Sequence, residues 1–230
     1  MSLPIDTVFT ISDLQLPTDW WETTRVKLGR MVSHGILKKI GKGRFYLPQP
    51  TIFGEISPQP EEMVKDLLVK DGRPVGYITG YSRWNQMGLT SQISNIIQIG
   101  TNQPKRNLQR GGYSVRFTRQ PNQITEDNIR FLIILDAISN IRRIPDTTLE
   151  KSLSRLTDII KDLDPNDVFS LTALAEKYPA RLRALLGAML ENIGREKEAM
   201  ILYRSLNPLT TYNYPGISGL LSDSAKWGIR

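Results

Sequence analysis

Lys38, Lys39, Lys42 and Arg44 fall inside the run ILKKIGKGRFYLP, Ile36 to Pro48, and no carboxylate follows them before Glu55. Cations at that density suit contact with phosphate. Each phosphate neutralised releases condensed counterions, which gives affinity without reading any base. The same residues also fit a solvated hairpin whose charge serves only solubility. The apolar positions flank Gly41 and Gly43, so the run predicts two short strands joined by a tight turn.

The element that would position this hairpin lies just before it. LPTDWWETTRVKLGRMVSHG carries a helix signal, with Asp19 and Glu22 at N-cap and N3 spacing and Gly35 placed to end the helix in a left-handed conformation. Helical spacing gathers Trp21, Thr24, Leu28, Met31 and Val32 on an inner face. Thr23, Val26 and Arg30 lie opposite, with Glu22 and Lys27 beside them and Arg25 at the margin. TISDL, Thr10–Leu14, reads as a short helix in front.

The order helix, helix, two-stranded wing is that of a winged helix-turn-helix, in which the second helix enters the major groove and the wing rests on backbone phosphate. On that reading Thr23 and Arg30 contact base edges or phosphate. Arg25 and Lys27 line the groove walls, and Lys38, Lys39, Lys42 and Arg44 follow the backbone. A winged unit used only for protein contact fits the same pattern. Met1–Val8, which includes Pro4, is too short to supply the extra first helix of a full three-helix unit.

Charge is distributed unevenly. The chain has 230 residues and a formal net charge of +7, which favours a polyanionic partner. From Gly72 through Thr125 it contains no Asp or Glu, yet Arg73, Arg83, Lys105, Arg106, Arg110, Arg116 and Arg119 all fall there. With no cysteine and one histidine, disulfides, thiolate nucleophiles and His/Cys metal sites are excluded. His34 reads as a helix-end partner. No phosphate-binding loop or carboxylate pair emerges, so neither a catalytic residue nor a cofactor is expected. No secretory signal or membrane-length apolar run is visible either, which suggests a cytoplasmic protein.

The organisation reads as α+β, with boundaries at residues 1–50 and 51–230. PQPTIFGEISPQP, with four prolines, looks like a linker. Pro60–Lys70 is amphipathic, with Met63, Val64, Leu67 and Leu68 inward, and Asp71-Gly72 stops it. VGYIT, ISNIIQIG and YSVRFTR read as strands, and GYSRWNQMGL as a short helix between the first two. Gly111-Gly112 suits a hairpin joining NLQR to the last strand. There, Tyr113 and Phe117 fit either base-stacking platforms or a buried face. From Thr125 the pattern is helical, over roughly Glu126–Asn140, Thr147–Leu163, Asn166–Lys177, Ala180–Ile193 and Glu196–Leu206. Glu126 and Asp127 look like first-turn acids, and the aromatic tail from Asn207 reads as docked on the body.

Two stretches carry a resemblance. YITGYSRWNQMGLTSQISNIIQIGTNQPKRNLQRGGYSVRFTR resembles the middle of the antitoxins of AbiE-type, type IV toxin–antitoxin systems, and LAEKYPARLRALLGAMLENIG resembles the helical signature that follows in that group. The opening helix and hairpin are similar to its N-terminal winged helix-turn-helix. The resemblance implies a winged helix-turn-helix followed by a mixed α/β antitoxin domain with a helical C-terminal half. It implies operator DNA with inverted repeats as one partner, and a nucleotidyltransferase toxin countered without a stable complex. Thr23, Arg25, Lys27 and Arg30 then fall on the recognition helix and Lys38, Lys39, Lys42 and Arg44 on the wing. The region for antitoxicity holds Arg83, Lys105, Arg106, Arg110, Arg116, Arg119, Arg181 and Arg183. The residues alone leave open a nucleic-acid-binding protein without autoregulation, an enzyme acting on nucleic acid, or a protein-interaction module.

Overall fold

The computed structural model describes residues 7–52 and 54–230. It is a mixed α+β protein. The expectation about a helix within Met1–Val8 lies, apart from Thr7 and Val8, outside those residues.

Two single turns of 3-10 helix, Ser12–Leu14 and Thr18–Trp20, lead into α1, Trp21–Ser33. Asp19 lies inside the second turn, so the expected capping box does not form. Trp20 holds the N-cap position without a side-chain bond, and Glu22 turns instead to Arg25 at 3.0 Å. At the other end Gly35 adopts φ 74°, the left-handed geometry that glycine takes without strain. Leu28 is buried and Trp21, Thr24, Met31 and Val32 are half-buried, as the periodicity requires.

The predicted hairpin is β1, Lys38–Gly41, paired antiparallel with β2, Arg44–Tyr46. Phe9 adds a bridge to Phe45 through two backbone hydrogen bonds of 2.9 Å. Phe9, Leu28, Leu37 and Phe45 make a small core with Ile11, Leu14, Met31, Val32 and Leu47 around it. That core holds α1 and the hairpin in one fixed relation. The proline-rich stretch is not plain linker, because β3, Gln49–Thr51, pairs with β4, Gly54–Ile56, in a fully exposed second hairpin.

Pro60 at N1 opens α2, Pro60–Leu68, which ends two residues earlier than the pattern suggested. The chain passes directly into a third small hairpin, β5, Val69–Lys70, with β6, Arg73–Pro74. Its Asp71-Gly72 turn has positive φ at both positions, 51° and 72°, which matches the twist of a two-residue hairpin.

A four-stranded sheet follows, built from β7, Gly76–Thr79; β8, Ile96–Thr101; β9, Leu108–Arg110; and β10, Tyr113–Arg119, in the order β7-β8-β10-β9. The helix α3, Tyr81–Gln86, separates the first two strands. β10 runs antiparallel to β9 across the Gly111-Gly112 turn, but parallel to β8. The chain leaving β8 therefore crosses to the far edge before it returns. Met63 and Val64 of α2 pack on one face against Ile78, Ile97, Ile99 and Val115, and Val8, Ile40 and Tyr46 join the same cluster. Tyr113 and Phe117 lie half-buried at its margin.

The helical half comprises α4, Ile129–Ser139; α5, Leu149–Lys161; α6, Pro165–Ala175; α7, Ala180–Asn192; and α8, Glu196–Arg204. Glu126 and Asp127 precede α4 in turn structure rather than occupying its first turn. Thr148 and Asp164 cap α5 and α6 with side-chain hydrogen bonds. One core joins these helices to Trp84, Leu89 and the tail, where Tyr212, Tyr214, Ile217, Leu221, Trp227 and Ile229 are buried. The tail is docked as its aromatics suggested.

Candidate nucleic-acid interface

Thr23, Arg25, Lys27 and Arg30 all lie exposed on α1, and Lys39 and Lys42 are exposed on the hairpin. Thr23, Val26 and Arg30 follow one another along the outer helix face at steps of three and four. Val26 is 53% exposed, an apolar side chain among polar ones. The helix and the hairpin converge through Leu28, Leu37 and Phe45, so their cations are displayed from one rigid unit.

The seven cations of this set are not equivalent. Arg25 spends its guanidinium on Glu22, within the same helix. Lys38 meets Glu55 of β4 at 3.0 Å, and Arg44 reaches Asp66 of α2. The hairpin is therefore less uncompensated than its local sequence suggests, because its carboxylate partners arrive from the next two elements. Among the described residues, Lys27, Arg30, Lys39 and Lys42 have no carboxylate within ion-pair distance.

The hairpin is also docked. The Gly111 amide donates to the Ile40 carbonyl at 3.1 Å, and the Val8 amide donates to Glu62 at the same distance. Asp66 binds this junction together. Arg110 donates to both its oxygens at 3.0 Å, and Arg44 donates to one of them. A forked guanidinium on a carboxylate is among the stronger protein ion pairs.

The cations of the acid-free middle divide in the same way. Arg110 is 7% exposed and belongs to the Asp66 junction. Arg83 reaches Glu61 at 3.4 Å and ties α3 to α2. Lys105 sits over the Phe117 ring at 5.7 Å, and it lines one cleft with Lys70 and Arg73. Arg106, Arg116 and Arg119 are exposed, with no carboxylate partner among the described residues. In the helical half Arg181 packs over Tyr214, while Arg183 donates to the Ser205 carbonyl at the end of α8, at 2.9 Å. The antitoxicity candidates thus do not form one patch.

A polar cluster that the sequence did not disclose lies between the sheet and the helices. Asp136 of α4 is buried and accepts hydrogen bonds from Tyr77 of β7 at 2.7 Å and Tyr178 at 2.9 Å. Gln120, just beyond β10, donates to both tyrosine oxygens. Burial pushes the Asp136 carboxyl above its ordinary range, opposed by the two tyrosine donors. Burial, reinforced by the nearby carboxylate, also raises Tyr77 and Tyr178, so both remain protonated donors. Gln120 thus donates to the two tyrosines and they donate to Asp136, and all four side chains are buried. The cluster joins β7, α4 and the approach to α7. A lone Asp within FLIILDAIS was the available signal.

Among the described residues no group of three or more acids and histidines is placed to hold a metal ion, and no helix is long and apolar enough to cross a membrane. The chain matches no family model, no curated protein and no solved structure.

Proposed function

We propose that this chain is a DNA-binding autoregulator of its own operon that also counters a nucleotidyltransferase toxin, working in the cytoplasm. The observation that carries the DNA-binding reading is the set Lys27, Arg30, Lys39 and Lys42, displayed without carboxylate partners among the described residues by a helix and hairpin that share one core. We read the unit as a variant of the winged helix-turn-helix. On this reading Phe9 bridges to the edge of the wing, α1 is the recognition helix, and the α2–sheet core supports the hairpin through Val8, Ile40 and Tyr46. Thr23 and Arg30 would meet base edges, Val26 a thymine methyl, and Lys39 and Lys42 the phosphates. Arg25, Lys38 and Arg44 contribute less, because each already has an acidic partner. The antitoxin reading rests on the resemblance of the middle strands and the YPARLRALLG helix, with exposed Arg106, Arg116 and Arg119 as its candidate contacts.

The test is binding of the full chain to the duplex upstream of its own gene, against a scrambled duplex, across a salt series. The expected result is preference for its own duplex, with a salt slope that falls by about 1.8 in the Lys39→Ala, Lys42→Ala double variant, two phosphate contacts at about 0.9 each. Equal weak binding to both duplexes would overturn the regulator reading. Rescue of growth in cells expressing a neighbouring nucleotidyltransferase gene, lost on charge removal at Arg106, Arg116 and Arg119, tests the second activity separately.

A further inference from the structure

Three arginines converge on one cavity in the helical half. Arg142 and Arg143 follow α4, Arg181 comes from the first turn of α7, and Tyr214 comes from the tail. With Ser139, Asn140 and Ile141 they line a polar cleft of about 500 Å³, with no Asp or Glu among its described lining residues. Elsewhere the protein gives Arg25, Arg44, Arg83, Arg110 and Arg130 each a carboxylate. Arg142, Arg143 and Arg181 have none among the described residues.

The cleft is also held in shape. Arg181 lies over the Tyr214 ring, 4.6 Å from its centroid, and donates to the Asn213 carbonyl at 3.2 Å. The Tyr214 hydroxyl donates back to the Arg181 carbonyl at 3.2 Å. On the other wall the Arg143 amide donates to the Asn140 carbonyl at 2.7 Å, and the Asn140 side chain donates to the Asp136 carbonyl. Three guanidiniums around one concavity repel each other, and that repulsion is relieved by an anion bound between them. Guanidinium forks match phosphate oxygens in pairs, and the volume lies within the range of small-ligand sites.

We infer that the cleft bounded by Arg142, Arg143, Arg181 and Tyr214 is a phosphate-binding site that takes a diphosphate group, carried either by a free nucleotide or by the end of an RNA. This goes beyond the operator reading and does not depend on it, since none of these residues belongs to α1 or the hairpin.

The full chain and its Arg142→Gln, Arg143→Gln double variant are titrated calorimetrically with ADP, inorganic pyrophosphate and adenosine at constant ionic strength. The expected result is saturable binding of ADP and pyrophosphate, none of adenosine, and at least a tenfold loss of affinity in the double variant. Both substituted residues are exposed, so the variant's Tm should stay within a degree or two of the parent. Arg181→Lys keeps the charge but removes the fork, and should weaken pyrophosphate by a smaller factor. Competition separates the two sources. A single-stranded RNA with a 5′-diphosphate that displaces pyrophosphate at lower concentration than ADP supports the RNA end, and the reverse order supports the free nucleotide. Absence of saturable pyrophosphate binding at millimolar concentration, or undiminished binding by the double variant, would overturn the proposal.

Discussion

The first fifty residues and the helical half handle charge and core in opposite ways. The N-terminal unit buries Phe9, Leu28, Leu37 and Phe45 and leaves nearly the whole outer face of α1 in water. The helical half buries α7 on almost every side, from Leu182 through Leu190, and draws the C-terminal tail into the same core. A surface built for a large polyanion needs cations in solvent and asks little of its own interior. A helix surrounded by other helices cannot offer such a face. The N-terminal unit compensates by sharing Val8, Ile40 and Tyr46 with the α2–sheet core.

The largest test of that contrast is Trp227→Ala. Trp227 is 2% exposed, meets the Tyr203 ring edge-on at 5.3 Å and donates to Glu191 at 2.7 Å. Truncating a buried tryptophan costs about 3–5 kcal/mol. A urea titration should show a lower midpoint, while DNA affinity measured well below the transition stays unchanged. An unaltered midpoint would mean that the tail is not part of the helical core.

Asp136→Asn should come next, at about 2–3 kcal/mol, because the single amide oxygen leaves one tyrosine hydroxyl without its acceptor. The pH dependence gives the sharper signature. The folded carboxyl is held above its ordinary value of 3.8, so the folded state binds its proton more tightly than the unfolded chain does. This group's contribution is therefore most favourable below that value and is lost as pH rises through the raised folded pKa. Relative to the variant, the parent protein should lose stability with rising pH, so that the gap between them narrows. Parallel stability curves from acid to neutral pH would contradict the assignment.

What the sequence made legible, and what it hid, follows the range of the interactions. Leu149, Leu153, Leu156 and Ile160 repeat at the helical period, and Pro165 and Ala180 open their helices near the expected residues, because these signals are local. Gly111-Gly112 announced its hairpin for the same reason. The parallel pairing of β8 with β10 stayed hidden, since register across a crossover is set by tertiary packing. So did the Asp136 cluster, whose partners lie 42 and 59 residues away. At the candidate interface the cations were visible but their partners were not. Glu55 and Asp66 neutralise Lys38 and Arg44 from other elements, which local charge counting does not register.

Asp66 provides a smaller test, where the N-terminal unit meets the α2–sheet core. Asp66→Ala should cost about 1–2 kcal/mol, since it strands the nearly buried Arg110 beside Arg44. The figure is below that of a fully buried pair because the Asp66 side chain is itself 31% exposed. Replacing Arg110 by Met should be closer to neutral, because it removes the buried charge and keeps much of the side-chain volume. Equal losses in the two variants would show that the junction depends on packing rather than on charge.

The smallest stability effect belongs to the residues with the largest proposed role in binding. Lys39 and Lys42 are exposed and pair with no carboxylate among the described residues, so changing both to Ala should alter stability by no more than about 0.5 kcal/mol. Arg44→Ala, by contrast, should lower stability more and DNA affinity less, because its guanidinium is occupied by Asp66. Thermal melts and a DNA salt series on the same samples place each variant on both axes. If Arg44→Ala weakened DNA binding more than the lysine pair did, the division between free and paired cations would be wrong, and the hairpin would have to exchange Asp66 for phosphate on binding.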